Sequence, residues 1–144
     1  MIYRAWNVGL LAERLSEPDM GGLVDPDFDA YEWLSTPGNF ALTDGANVMM
    51  FTGMPGKIFD GHWLLVDKGR QAFLTATLFL RHVFVSHEAA QIVGLVPAHR
   101  RAARWFTKQM GFISHGLQDT DMGPQEYFTL TRQQFEARYG IFNQ

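Results

Sequence analysis

The sequence predicts an α+β fold: a mixed, mostly antiparallel sheet with one parallel β-α-β crossover and helices on both faces. Three observations carry that prediction. Two strand-like runs meet around Asp44-Gly45 in "NFALTDGANVMMFTG", a strong hairpin signal. An apolar run (57–66), a helical stretch apolar around much of its circumference (70–86) and a short, almost wholly apolar run (90–96) then follow one another. That is the order of parallel strands joined by a right-handed crossover helix. Near the end, "FISHG" and "QEYFTL" read as two antiparallel strands. The chain of 144 residues is long enough for a full core and is read as a single domain, 1–144.

Each element has a local reason. Residues 2–6 suit a short strand, and "VGLLAERLSE" a helix broken by Pro18. "DPDFDAYEWLS" reads as a second helix with Asp25 or Asp27 near its N-terminus, where an anion is favoured. Met54-Pro55-Gly56 is a turn with proline and glycine at the positions a turn prefers. The strand after it contains Gly61, which marks a bulge or a close backbone approach. In 70–86, Phe73, Thr77, Leu80 and Phe84 fall at helical spacing. Pro97 suits the first turn of the next helix, and Gly111 suits its end.

Between them His99, Ala102, Ala103, Phe106 and Met110 share one stripe, so Phe106 is expected to face inward beside Met110. Arg100, Arg104, Thr107 and Lys108 share another stripe, read on its own as a solvated cationic face. A polar loop containing Gly123-Pro124 should separate the last two strands. Thr131 and Gln134 stand at capping-box spacing before a final helix, "RQQFEARYG".

Composition narrows the function classes. The chain is 47% apolar and 19% charged, the balance of a globular protein. A net charge of −3 gives no general attraction to nucleic acid or to an anionic membrane, and neither is expected as a partner. There is no cysteine, so disulfides, thiolate metal sites and thiol nucleophiles are excluded. The opening residues carry Arg4, Glu13 and Arg14 and do not read as a secretory signal; the longest apolar run, "AFLTATLFL", is too short to span a bilayer. A cytoplasmic setting is expected. Histidines 62, 82, 87, 99 and 115 have no metal-binding spacing, so no metal is expected, and Ser86-His87-Glu88 is mere adjacency, not a triad. Asp119, Asp121 and Glu126 read as a solvated acidic cluster beside a loop.

Some residues together resemble a known family. Ala103, Phe106, Gly111 and Phe112 agree with a helix patterned Asn-x-x-Ala-x-x-Phe-Tyr-x-x-x-Gly-Phe, whereas Arg100 and Thr107 depart from it. That helix, and the order of elements over roughly residues 38–130, resemble the GNAT superfamily of N-acetyltransferases. Gly61-His62-Trp63, Gly69-Arg70-Gln71-Ala72 and Arg101-Ala102-Ala103-Arg104 resemble small phage-encoded acetyltransferase-like proteins in particular.

The resemblance implies an acetyl-CoA-dependent (or other acyl-CoA-dependent) N-acyltransferase acting on an amine, in the host cytoplasm if the chain is phage-encoded. It implies a pyrophosphate loop of the form Arg/Gln-x-x-Gly-x-Gly/Ala capping the buried helix. "DKGRQAF" stands there, with Lys68, Gly69, Arg70, Gln71 and Ala72 as candidates, though the full pattern is absent. A shortened anion site and an ordinary glycine turn are both compatible with it. Leu65 and Val66 are implied to offer backbone groups to the cofactor, Arg100 and Thr107 to face it, and Asp60 or His62 to act as general base. The usual acid, a tyrosine, is replaced by Thr107. The alternative is a non-catalytic phage protein, a virion or host-interaction component that keeps the fold without acyl transfer.

Overall fold

The computed structural model describes residues 1–140. They form two compact units: Met1–Gly53 with Gly61–His82, and Met54–Asp60 with the chain from Val83 on. Among the described residues seven strands follow the order β1-β2-β3-β4-β5-β7-β6, mostly antiparallel, with one parallel pair. This is the α+β class that the order of elements predicts.

In the first unit, β1 (Tyr3–Arg4) pairs antiparallel with β2 (Asn39–Thr43), and β2 with β3 (Val48–Met54). The Asp44-Gly45 turn joins β2 to β3 as predicted, with Phe40 opposite Phe51 and Thr43 opposite Val48. Helix α1 (Val8–Leu15) starts where the Asn7 side chain accepts a hydrogen bond from Leu10 N at 3.0 Å. It turns Leu11 and Leu15 inward, and a 3-10 turn at Pro18–Met20 follows. Helix α2 (Ala30–Ser35) is capped by Asp29, which accepts from Tyr31 N and Glu32 N at 3.0 and 3.2 Å. The helix starts later than the expected span, and Asp25 and Asp27 lie in the turn before it, where Asp25 accepts from Asp27 N. Leu11, Leu15, Met20, Ala30, Ala41, Val48, Met50 and Leu64 make one buried cluster.

Strand β4 (Ile58–Leu64) and helix α3 (Gly69–Ser86) contribute residues to both units. Of the two readings of Gly61, close approach has direct support. A Cβ there would lie 2.9 Å from Met49 Cε and 3.0 Å from Phe51 Cε1, and both of those side chains are buried.

In the second unit, the start of β4 lies parallel to β5 (Gln91–Pro97), with Ile58 opposite Gln91 and Asp60 opposite Val93. β5 is antiparallel to β7 (Gly123–Thr131), and β7 to β6 (Ile113–Thr120). Helix α5 (Arg132–Tyr139) opens with the predicted capping box: Gln134 N donates to Thr131 Oγ1 at 3.1 Å, and Thr131 N to Gln134 Oε1 at 2.9 Å. Phe84 and Phe135 meet in the core of this unit, with ring centroids 5.0 Å apart.

Three local expectations are corrected here. Pro97 ends β5 opposite Gln125 and accepts from Arg100 N at 3.0 Å, so helix α4 (Arg101–Gln109) begins later than a proline in its first turn would imply. Gly123 and Pro124 open β7 rather than lie in a loop, and Asp121-Met122 alone turns the chain; proline is tolerated at the first residues of a strand. The inward stripe of α4 is rotated as well. Thr107 and Met110 are buried, Phe106 is half-buried and Ala102 is exposed. A threonine can face a core because its hydroxyl bonds back to its own helix, here Ala103 O at 2.8 Å. The end of α4 is as predicted: Gly111 has φ +104°, its N–H donates to Lys108 O and that of Phe112 to Thr107 O, the Schellman pattern.

The packing around Gly61 gives the first prediction. Gly61→Ala forces a methyl group against Met49 and the buried Phe51 ring, and overpacking of this kind costs about 1–3 kcal/mol. Chemical denaturation should show that loss. An unchanged midpoint would mean the two strands do not approach so closely.

Candidate functional site

The junction of β4 and α3 is built from the first unit. Leu64 is buried at the end of β4, Leu65, Val66 and Asp67 are half-buried, and Lys68, Gly69, Arg70 and Gln71 are exposed, while Ala72 returns to the core. Helix α3 starts at Gly69, whose φ is +55°, and a Cβ built there meets nothing within 4 Å. The backbone at this helix start is therefore open. The first N–H groups of a helix have no partner within it and carry partial positive charge. Lys68 and Arg70 flank them, so the residues present fit an anionic group.

The loop is fixed by a residue that sequence reasoning does not single out. Asn47, at the end of the β2–β3 turn, is 1% exposed. Its Oδ1 accepts from Val66 N at 2.8 Å and Asp67 N at 3.1 Å. Its Nδ2 donates to Asp67 Oδ2 at 3.1 Å and to Asp44 Oδ2 at 3.0 Å. Asp67 Oδ2 also accepts from the Thr75 hydroxyl at 2.6 Å, and Gln71 Nε2 reaches the Thr75 oxygen at 3.4 Å. Of the Val66 backbone groups that the resemblance offers to a cofactor, the N–H is engaged by Asn47, which leaves the carbonyl.

Asp60 and His62 both lie in β4. Asp60 is half-buried, with Oδ1 buried, opposite Val93 of the parallel strand. His62 is exposed.

Helix α4 belongs to the second unit. Arg100 precedes its first turn and is exposed. Arg104 and Lys108 are not a merely solvated face. Glu126 on β7 is 2% exposed and receives Arg104 Nε at 2.6 Å, Lys108 Nζ at 3.3 Å and a short hydrogen bond from the Ser114 hydroxyl. Arg104 Nη1 also donates to Ala98 O at 2.8 Å. Burial alone raises the Glu126 carboxyl. The hydrogen bonds from Ser114, Arg104 and Lys108 outweigh burial and hold it below its ordinary value. Glu126 is therefore a buried ion pair, not part of a solvated cluster with Asp119 and Asp121. The strand alternation that puts Glu126 on one face with Phe128 and Leu130 is the signal that marks it. Thr107, expected on the cationic face, is buried on this helix with its hydroxyl already bonded.

Among the described residues no three histidine, aspartate or glutamate side chains are placed to hold a metal ion, and no helix is long and apolar enough to cross a membrane.

The fold built from these elements is that of the GNAT N-acetyltransferases. The chain is similar to aminoglycoside acetyltransferase AAC(6')-Ib in complex with paromomycin and acetyl-CoA, with a TM-score of 0.72 at 15% identity over 99% of this chain and 98% of that one. It is similar to a spermidine N-acetyltransferase SpeG chimera from Vibrio cholerae and hSSAT, with a TM-score of 0.72 at 10% identity over 96% and 98% of the two chains. A protein from Bacillus halodurans gives 0.73 at 10% identity over 95% and 86%. No protein-family model and no curated protein sequence matches the chain.

Glu126 yields a pH prediction. Its folded carboxyl titrates below the ordinary value of 4.5, so its contribution to stability is full above that value. The contribution is lost as pH falls through the depressed folded value. Denaturation midpoints should therefore drop more steeply on acidification below 4.5 for the wild type than for Glu126→Gln. Parallel curves would remove the ion pair from the account of stability.

Proposed function

We propose that this chain is an acyl-CoA-dependent N-acyltransferase, moving an acetyl group from acetyl-CoA to an amine. The observation that carries this reading is the open, cation-flanked start of α3 at Lys68–Ala72, in a fold whose solved examples include complexes with coenzyme A and acetyl-CoA. Acetyl-CoA, when bound, supplies the acyl group as a reactive thioester.

The chain's residues divide the remaining work. Lys68 and Arg70, with the N–H groups of Gly69, Arg70 and Gln71, hold the diphosphate by charge and by helix-end donors, while the Ala72 N–H closes the first turn on Lys68 O. Leu65 and the Val66 carbonyl line the pantetheine arm. The Asp60 carboxylate or the His62 imidazole takes a proton from the amine nitrogen as the C–N bond forms and the C–S bond breaks. Thr107 does not join this set, because its buried hydroxyl is spent on Ala103 O; the leaving thiolate takes its proton from water. A cytoplasmic setting is part of this reading.

The buried Thr107, in place of the tyrosine of the family pattern, favours one rival: a non-catalytic phage protein that keeps the fold without acyl transfer. Thiol release from acetyl-CoA against a panel of primary amines and polyamines separates the two. Turnover is expected with at least one amine, and either Asp60→Asn or His62→Gln should lower kcat/KM by about 10²–10⁴-fold with a changed pH profile. Lys68→Ala/Arg70→Ala should weaken CoA binding in a calorimetric titration. Turnover that survives both base substitutions contradicts the base assignment. Absence of turnover and of CoA binding moves the conclusion to the non-catalytic protein.

A further inference from the structure

The polar network beneath the β4–α3 junction holds a carboxylate immediately before a helix start. Asp67 stands two residues before Gly69, the first residue of α3. A carboxylate so close to a helix start is drawn to its unpaired N–H groups and positive end. There it would neutralise the donors that an anionic ligand needs. The structure keeps it elsewhere: Asp67 Oδ2 is held by the Thr75 hydroxyl at 2.6 Å and by Asn47 Nδ2 at 3.1 Å. Thr75 lies two turns along α3 on its buried side, at 4% exposure, and Asn47 is 1% exposed. Both donors thus pull the carboxylate toward the interior, while Asn47 Oδ1 takes up the adjoining N–H groups of Val66 and Asp67. Asn47 is itself anchored to Asp44, so the clamp ties the loop to the β2–β3 turn.

We infer that Asn47, Asp67 and Thr75 are positioning residues, a clamp that holds the Asp67 carboxylate back from the start of α3 and keeps that helix end open to the diphosphate of an acyl-CoA. The inference rests on the acyl-CoA reading above. It adds a specific cause of cofactor affinity in residues that do not touch the cofactor. Releasing the carboxylate weakens binding of a ligand that carries the diphosphate and leaves a ligand without it unaffected. Removing the carboxylate's charge as well restores the affinity.

The test compares CoA with S-acetylpantetheine, which has the same thioester arm but no diphosphate. Thr75→Val keeps the buried shape and deletes only the donor. Its CoA affinity, by calorimetry, should fall about fivefold or more, with KM for S-acetylpantetheine in the thiol-release assay unchanged. Thr75→Val/Asp67→Asn should recover most of the CoA affinity. Asn47→Asp, which swaps a donor for a third carboxylate beside Asp44 and Asp67, should weaken CoA binding further, and thermal melts identify any variant that fails to fold. If the wild type binds CoA but Thr75→Val binds it equally well, the clamp is overturned and the acyl-CoA reading stands. The clamp is likewise overturned if both ligands weaken in parallel or if Asp67→Asn restores nothing. A wild type that does not bind CoA overturns the reading and the inference together.

Discussion

A parallel pair of strands cannot be closed by a tight turn, and that constraint shapes the centre of this protein. β4 and β5 run in the same direction, with Ile58 opposite Gln91 and Asp60 opposite Val93. The chain must therefore leave β4, travel back and re-enter, and it does so through the eighteen residues of α3. The carboxyl end of β4 is consequently followed, after the short loop 65–68, by a helix start with its unpaired N–H groups and positive end. The anion-binding chemistry proposed for Lys68–Ala72 is a product of this connection before it is a product of any particular side chain. Gly69 leaves the backbone open there, and Lys68 and Arg70 add the charge.

Each compact unit contains a buried polar group whose partners are all in place. In the first it is the Asn47 amide, using both its oxygen and its nitrogen on Val66, Asp67 and Asp44. In the second it is the Glu126 carboxylate, met by Arg104, Lys108 and Ser114. Burying such groups is costly unless every donor and acceptor is satisfied, and removing one partner leaves that cost exposed. These networks fix geometry more than they add stability. Asn47 sets where the loop before α3 lies, and Glu126 sets how α4 sits on β6 and β7.

Much of the fold was legible because its signals are local. Asp44-Gly45 dictates a hairpin, Thr131 and Gln134 cap α5, and Gly111 ends α4 through neighbours only a few residues away. The misses share a different cause. Pro97 and Gly123-Pro124 carry turn chemistry but sit at strand ends, where pairing of β5 with β7 decides the outcome. Thr107 is polar and shares a stripe with three cations, which points outward on pattern alone, yet a hydroxyl that bonds to its own helix can face a core. In the candidate site, Lys68–Ala72 enters through the family resemblance, which implies a diphosphate loop there, and glycine between two cations at a helix start fits that reading. Asn47 could not: beside Asp44 and Gly45 it reads as one more turn residue, and its partners lie about twenty positions further on. Glu126 was hidden among exposed acids, although its alternation with Phe128 and Leu130 marks a buried face.

The central claim is that an acyl-CoA places its diphosphate on the first N–H groups of α3. Backbone amide shifts from a ¹⁵N-labelled sample titrated with CoA test it most directly. The account predicts saturable displacement of the Gly69, Arg70 and Gln71 amides, with those of α5 unmoved. Saturable shifts confined to other regions, or none at millimolar CoA, would contradict it.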